Sequence, residues 1–379
     1  MRQPSQRLKP VNSQDVRRAN RNRIYRFIHS HPGTSRPELV QRMEMSLPTV
    51  MQNVKSLFEQ GLVKEDGSLE STGGRKAVAL TCVRDARLSV GVEITRNHVG
   101  VVVVNMEGAV LAGARHRIPF SPDAAYAKRV GRAVEKLVAS SGADPASILG
   151  AGVSLPGILS ADGSVFNTSV LPAVEYATRT IGDALPYPAV YLNDANAAGI
   201  AEMWDASPGK SFVYLSLSNS VGGAIIWNSR LHPGDNQRGG EFGHITVQPD
   251  GRRCYCGQVG CLDAYCAAFL LSDRADGSLD EFFRLVDDGD RKLGAAWDEY
   301  MTYLARAVNI LRMAFDCEVV VGGYVGAYME RHIEDLRRRV SVLNTFERYG
   351  DYVKVCRRRT EASAVGAALV HIERFIQDI

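Results

Sequence analysis

Apolar residues recur at helical spacing through the first sixty positions and then give way to strand-like runs. Residues 19–30 place Ile24, Phe27 and Ile28 on one helical face, with arginines around it. The run Thr34-Ser35-Arg36-Pro37-Glu38 has the chemistry of a helix start, with Ser35 as cap and Pro37 and Glu38 in a first turn. This short second helix, through about Met43, buries Leu39 and Val40. Ser46 then caps a third helix whose stripe is Val50, Val54, Leu57 and Phe58, and Gly61 ends it. Three helices with a tight turn between the last two predict a helix-turn-helix. Residues 62–65 and 77–80 read as two short strands around the turn-rich 71–76, which adds a wing.

From Leu88 the period changes. Residues 88–94, 99–105 and 110–118 are strand-sized apolar runs separated by short turns, the start of an antiparallel meander. A helix over 122–141 and a buried strand over 148–154 follow. A similar order recurs from Ser211: two runs, a turn, a helix-rich segment over 278–315 and the strand 317–323. The repeat predicts two α/β lobes with a cleft between them. The expected division is a DNA-binding module at 1–82, a first lobe at 83–197 joined by a C-terminal helix at 365–379, and a second lobe at 198–364.

Charge sharpens the role of the first segment. Residues 1–80 carry 14 Lys+Arg against 7 Asp+Glu, a net +7, whereas the remainder carries 31 against 35, a net −4. A basic module on a mildly acidic body suits a polyanion. On the third helix Ser46, Pro48, Thr49, Gln52 and Lys55 lie off the core stripe, where short polar groups reach base edges and a lysine reaches phosphate. Arg75 and Lys76, at the wing tip, suit phosphates or a minor groove. Short three-helix segments also serve as dimerisation modules, but the charge excess and the Gly-Gly-Arg-Lys wing favour DNA. No apolar run approaches the length of a membrane span, and no apolar leader precedes the module, so a cytoplasmic protein is expected.

Residues 241–263, EFGHITVQPDGRRCYCGQVGCLD, concentrate the remaining chemistry. His244, Cys254, Cys256 and Cys261 form the one-imidazole, three-thiolate set of a structural zinc site. Gly257 and Gly260 permit the turns that wrap such a loop. A disulfide or inert buried thiols are the alternatives. Seven cysteines, an odd number, in a reducing compartment favour the metal. Glu241 and Asp263, poor ligands beside thiolates, are left to face a polar ligand.

The whole chain, over about residues 10–375, resembles the ROK family of repressors, unassigned reading frames and sugar kinases. The residues that carry the resemblance are Glu241-Phe-Gly-His244 with the CxCGxxGC loop, Leu192-Asn-Asp194-Ala-Asn196-Ala, and Gly222-Gly223-Ala224. The resemblance implies an actin-like (RNase H-like), two-lobe sugar-kinase fold, and the winged helix is the addition of the family's repressor branch. It also implies that Asp194 stands where family kinases carry their catalytic base, and that Asn193, Glu241, His244 and Asp263 hold sugar hydroxyls. The family usually carries Glu where Asp263 stands. Family kinases open the first lobe with an Asp-x-Gly-Gly-Thr phosphate turn and carry a Gly-Thr-Gly turn later. This chain has Glu93-Ile94-Thr95-Arg96-Asn97 and Ser218-Asn219-Ser220 there. Side chains in place of glycines keep the backbone away from a triphosphate. The expectation is therefore a non-enzymatic, sugar- or sugar-phosphate-responsive repressor on operator DNA, as a homodimer or dimer of dimers, with a regulatory protein as a possible further partner. An ATP-dependent sugar kinase with a fused DNA-binding module is the alternative.

Overall fold

The computed structural model describes residues 13–68, 78–160, 165–167, 171, 173–359 and 361–379. The N-terminal module comprises α1 (Ser13–Ser30), α2 (Arg36–Met43), α3 (Leu47–Glu59) and the antiparallel pair β1 (Val63–Ser68) and β2 (Val78–Cys82). Ser35 and Ser46 cap α2 and α3, accepting from the N–H groups of Glu38 and Thr49, and Gly61 follows α3 at φ +69°. The loop joining the two strands, with Arg75 and Lys76, lies outside the described residues. On α1 the fully buried face is Ile24, Tyr25 and Ile28, and Phe27 is only partly buried. Tyr25 replaces Phe27 because its hydroxyl reaches Met106 Sδ on the body, 3.6 Å away, a contact that periodicity within the module does not encode.

The first lobe runs through β3 (Leu88–Ile94), β4 (Val99–Asn105), β5 (Val110–His116), α4 (Ala124–Ser141), β6 (Ile148–Leu155), the small pair β7 (Ile158–Leu159) and β8 (Val165–Asn167), α5 (Val174–Ala184) and β9 (Ala189–Asn193). Its sheet has the order β5-β4-β3-β6-β9, antiparallel over the first three strands and parallel over the last three. Helix α6 (Asp194–Trp204) leads into the second sheet of β10 (Phe212–Leu217), β11 (Val221–Trp227), β12 (Arg230–Leu231), β13 (Glu318–Gly322) and β14 (Val353–Val355), with order β12-β11-β10-β13-β14. Numbered within each lobe, both sheets read 3-2-1-4-5, so the internal repeat is real at the level of topology. The second lobe also holds α7 (Asp263–Cys266), α8 (Phe269–Ser272), α9 (Leu279–Asp287), α10 (Arg291–Phe315), α11 (Gly323–Gly326) and α12 (Ile333–Leu343), and the chain closes with α13 (Ala362–Asp378). Among the described residues no helix is long and apolar enough to cross a membrane.

Strand alternation assigns the layers. In β4, Val99, Val101 and Val103 face α4, while Val102 and Val104 face α13 and the N-terminal module. In the second sheet, Val213, Leu215 and Leu217 face α10, while Phe212 and Tyr214 face the α6 side. Helices α6 and α13 pack on each other as the layer between the two sheets. The expected lobe boundary at 197/198 therefore falls inside α6, a continuous helix whose small Ala and Gly positions serve both neighbours. The last helix begins at Ala362, three residues before the expected 365.

The seat of α13 is made of missing side chains. A Cβ at Gly91 would lie 1.9 Å from the Ala364 carbonyl oxygen, one at Gly152 1.9 Å from that of Ala367, and one at Gly366 1.7 Å from that of Ala197 on α6. Backbone-on-backbone packing of this kind cannot relax around a methyl group. Gly152→Ala is expected to destabilise the protein by roughly 1–3 kcal/mol or more, because the obstacle is main chain. Gly294→Ala, in α10 with no atom within 4 Å of the added carbon, is expected to stabilise by about 0.5–1 kcal/mol. Denaturant midpoints of the two variants check the contrast.

Candidate sugar cleft and metal loop

Groups from both lobes come together around Asp194, with Glu93 of β3 on one side and Glu241 and Tyr324 of the second lobe on the other, at strand ends of the kind where open α/β sheets hold ligands. Asp194 is the first residue of α6, immediately after β9. Its Oδ1 accepts from the Ala195 N–H at 2.8 Å. Burial pushes its carboxyl up to about 6; the Ala195 N–H opposes that, and the neighbouring carboxylates Glu93 and Glu241 add to it. Asn193 is occupied at both ends of its amide. Oδ1 accepts from the Asn196 N–H at 2.9 Å as the α6 cap, and Nδ2 donates to the Gly157 carbonyl at 3.0 Å. The structure thus gives Asn193 the work of fixing the strand-to-helix corner that aims Asp194.

Glu241 and His244 come from the other lobe, on the turn before and within the short helix Phe242–His244. This turn sits against β11 through glycines. A Cβ at Gly240 would meet the Gly223 carbonyl oxygen at 2.2 Å, and one at Gly243 that of Val221 at 2.1 Å. The sequence motifs Gly222-Gly223-Ala224 and Glu241-Phe-Gly-His244 are therefore two halves of one contact. Asp263, 3% exposed, accepts from the Val221 N–H at 2.5 Å. One of its oxygens thus anchors the start of β11. Burial raises both Glu241 and Asp263 above the usual carboxylate range, while His244 draws each back.

His244, Cys254, Cys256 and Cys261 converge, with ligand atoms all within 4.8 Å of one another. Cys256 Sγ lies 3.7 Å from Cys261 Sγ, close to the edge of about 3.8 Å for a tetrahedron with metal–sulfur bonds of about 2.3 Å. His244 turns Nδ1 toward Cys254 Sγ at 3.9 Å and Nε2 toward the Tyr255 hydroxyl at 3.4 Å. The donor set and its spacing fit a metal ion. The loop is shaped by Gly257 at φ +90° and Gly260 at φ +84°, and by the Cys254 N–H to Gln258 carbonyl bond of 2.8 Å.

The two turns that lack the expected glycines carry side-chain hydrogen bonds of their own. In the β3–β4 turn the Thr95 hydroxyl accepts from the His98 N–H at 3.0 Å and donates to the His98 carbonyl at 3.1 Å. In the β10–β11 turn the Ser218 hydroxyl lies 3.3 Å from that of Ser216, and its carbonyl accepts from the Ala268 N–H. Three residues that motif reading passes over, Ser363, Arg115 and Tyr324, join Glu93 beside Asp194. Glu93 accepts from the Ser363 hydroxyl at 2.6 Å, and Arg115 on β5 lies 5.6 Å over the ring of Tyr324 on α11, bridging the lobes. Burial raises the Glu93 carboxyl, opposed by Ser363 and Arg115. Arg115, Tyr324 and Ser363 carry no motif signal, because they meet only through the packing of β5, α11 and α13.

The nominated DNA-facing residues behave unequally. Pro48, Gln52 and Lys55 are exposed on α3, with Lys55 3.7 Å from Glu59. Ser46 and Thr49 hydroxyls lie 2.9 Å apart, and Ser46 also accepts from the Thr49 N–H as the helix cap.

The ROK family profile matches residues 89–374. The chain is 24% identical over 259 residues to the xylose repressor of Bacillus spizizenii, covering 68% of this chain and 67% of that protein. Its fold is similar to that of a ROK family transcriptional regulator, a homologue of the E. coli MLC protein, with TM-score 0.74 and 20% identity over 96% of this chain and 97% of that one. A ROK hexokinase from Thermus thermophilus matches at TM-score 0.59 and 27% identity over all of its own length but 77% of this chain.

A carboxyl with a raised pKa favours the folded state only while protonated. For Asp194 that contribution is full below the ordinary 3.8 and is lost as pH rises through about 6. Asp194→Asn is therefore expected to raise stability at pH 7.5, by up to about 3 kcal/mol, with the gain shrinking through pH 6 and vanishing below pH 4. Thermal denaturation across that range checks it.

Proposed function

The chain belongs to the ROK family, and we propose that it is a sugar-responsive transcriptional repressor that binds operator DNA through its N-terminal module. The observation that carries the reading is the placement of α13. At its start Ser363 bonds Glu93 in the cleft beside Asp194. At its far end Glu373 accepts from Arg26 of α1 at 2.6 Å, and the Ile376 carbonyl accepts from Asn22. The apolar core is continuous across the same seam, from Ile24, Tyr25 and Cys82 through Val102 and Met106 to Leu369 and Ile372. One helix thus touches both the ligand cleft and the DNA-binding module, and that module moves with the first lobe.

In this reading Asp194 and Glu241 accept from sugar hydroxyls, a use of fixed acceptors that needs no chemistry. Asn193 holds Asp194 in place, while His244 and Asp263 form the wall behind Glu241. Zinc is the ion proposed for His244, Cys254, Cys256 and Cys261; when bound it neutralises the thiolates and stiffens that wall. Sugar bridging Asp194 on one lobe and Glu241 on the other changes the angle between lobes, and α13 carries the change to α1. In a homodimer on a pseudo-palindromic operator, the change alters the spacing of the two modules. By linkage, an inducer that weakens DNA binding binds the DNA-bound form less tightly by the same factor, typically 5- to 150-fold. The β3–β4 and β10–β11 turns, held by their own side chains and without the glycines of a phosphate cradle, argue against phosphoryl transfer, which depends on cradled phosphate.

Fluorescence anisotropy of the full chain on its own upstream DNA, with a panel of sugars and sugar phosphates, tests the reading. One compound is expected to lower DNA affinity, and Asp194→Ala is expected to abolish that response while leaving DNA affinity unchanged. ATP-dependent turnover of a sugar, lost in Asp194→Asn, would overturn it. Cys256→Ser is expected to lose a stoichiometric zinc, measured by elemental analysis, and to weaken the sugar response more than DNA binding.

A further inference from the structure

The outward face of α3 carries more than polar readers. Leu47 is 53% exposed and Met51 47% exposed, one helical turn apart, with Pro48 and Gln52 exposed beside them. Behind Met51 a groove of about 500 Å³ opens between α2 and α3, floored by Val54 and Phe58. Two large apolar side chains in the first half of a recognition helix face water in the free module, although that module carries a net +7. Arginine, the usual reader of guanine, is absent from α3. Arg36 nearby is held by Glu65 at 2.8 Å and lies over the Phe58 ring. Lys55, the one cation on the helix, sits in its C-terminal half beside Glu59.

A helix-turn-helix points the N-terminal residues of its second helix at base edges in the major groove. The apolar group displayed there is the thymine 5-methyl, and glutamine pairs with the N6–N7 edge of adenine. The occupant that fits both the apolar pair and the basic charge of the module is therefore A·T-containing duplex. We propose that α3 reads A·T pairs, with Leu47 and Met51 packing on thymine methyls and Gln52 bonding adenine. The assignment rests on the DNA-binding reading and names the sequence class that this module recognises. It adds two apolar readers to the residues expected from the sequence.

Selection of a random-core duplex library by the full-length chain provides the test. The selected core is expected to be A·T-rich. Resynthesis with deoxyuridine for thymidine, which deletes only the methyl, is expected to weaken binding about fourfold at each contacted position, from the transfer free energy of one buried carbon. Leu47→Ala and Met51→Ala, both at exposed positions, are each expected to lose the thymidine preference at the position that residue contacts and to keep it at the other, and the double variant to bind thymidine and deoxyuridine duplexes equally. A G·C core, or deoxyuridine substitution without effect at every position, would overturn the proposal. So would a loss of self-association in Leu47→Ala or Met51→Ala by light scattering with no change in base preference, since the face would then seat a second copy. Absence of any salt-dependent duplex binding would instead sink the repressor reading itself.

Discussion

The close approach of α13 to the main chain of β3, β6 and α6 is the constraint on which the rest of the molecule depends. Three glycines, Gly91, Gly152 and Gly366, allow carbonyl oxygens to lie where a Cβ would be. With no side chains to slide, the helix cannot move independently of the first sheet. Everything attached to either end inherits that rigidity. At one end lies Ser363 in the cleft; at the other, Glu373 and the apolar residues that receive α1. The exposed Arg26–Glu373 pair adds little energy by itself. The continuous apolar seam, with Tyr25 and Met106 at its centre, is what removes a flexible hinge between the module and the first lobe.

The region around Asp194 shows how two lobes of one strand order converge on a shared cluster of acids. Two lobes of identical strand order bring paired strand ends together, and each lobe supplies a carboxylate, Asp194 from one and Glu241 from the other. Glu93, near the end of β3, accepts from Ser363 at the start of α13, so the same acid cluster is tied to the last helix. Arg115 over Tyr324 spans the lobes at the same level. Burial raises Glu93, Asp194 and Glu241 alike.

Much of this was legible in the amino-acid sequence, and the remainder has physical reasons for being hidden. The capped helices α2 and α3 are encoded locally, by Ser35, Ser46 and Gly61, and short-range periodicity finds them. The metal loop is equally local, since its four ligands fall within eighteen residues. Tyr25 in place of Phe27, the shared layer of α6 and α13, and the Asp263 bond to Val221 are all set by partners dozens to hundreds of residues away. Asn193 is legible as polar and near a turn. That its amide is spent on Asn196 and Gly157 is a fact of geometry alone. Leu47 and Met51 are passed over because apolar residues on a helix are assigned inward by default, and only the packed module shows which of them have no inside to go to.

The pairing of α1 with α13 also orders the life of the molecule in time. Arg26 and Glu373 stand 347 positions apart. A ribosome adding about 5–20 residues per second needs roughly 20–70 s to supply the second after the first. Through that interval the module synthesised earliest has no seat for Ile24, Tyr25 and Ile28 other than its own three helices. A nascent chain can thus present α3 before α13 has been made. The seam between the module and the first lobe is acquired last, when the final helix closes over the glycines.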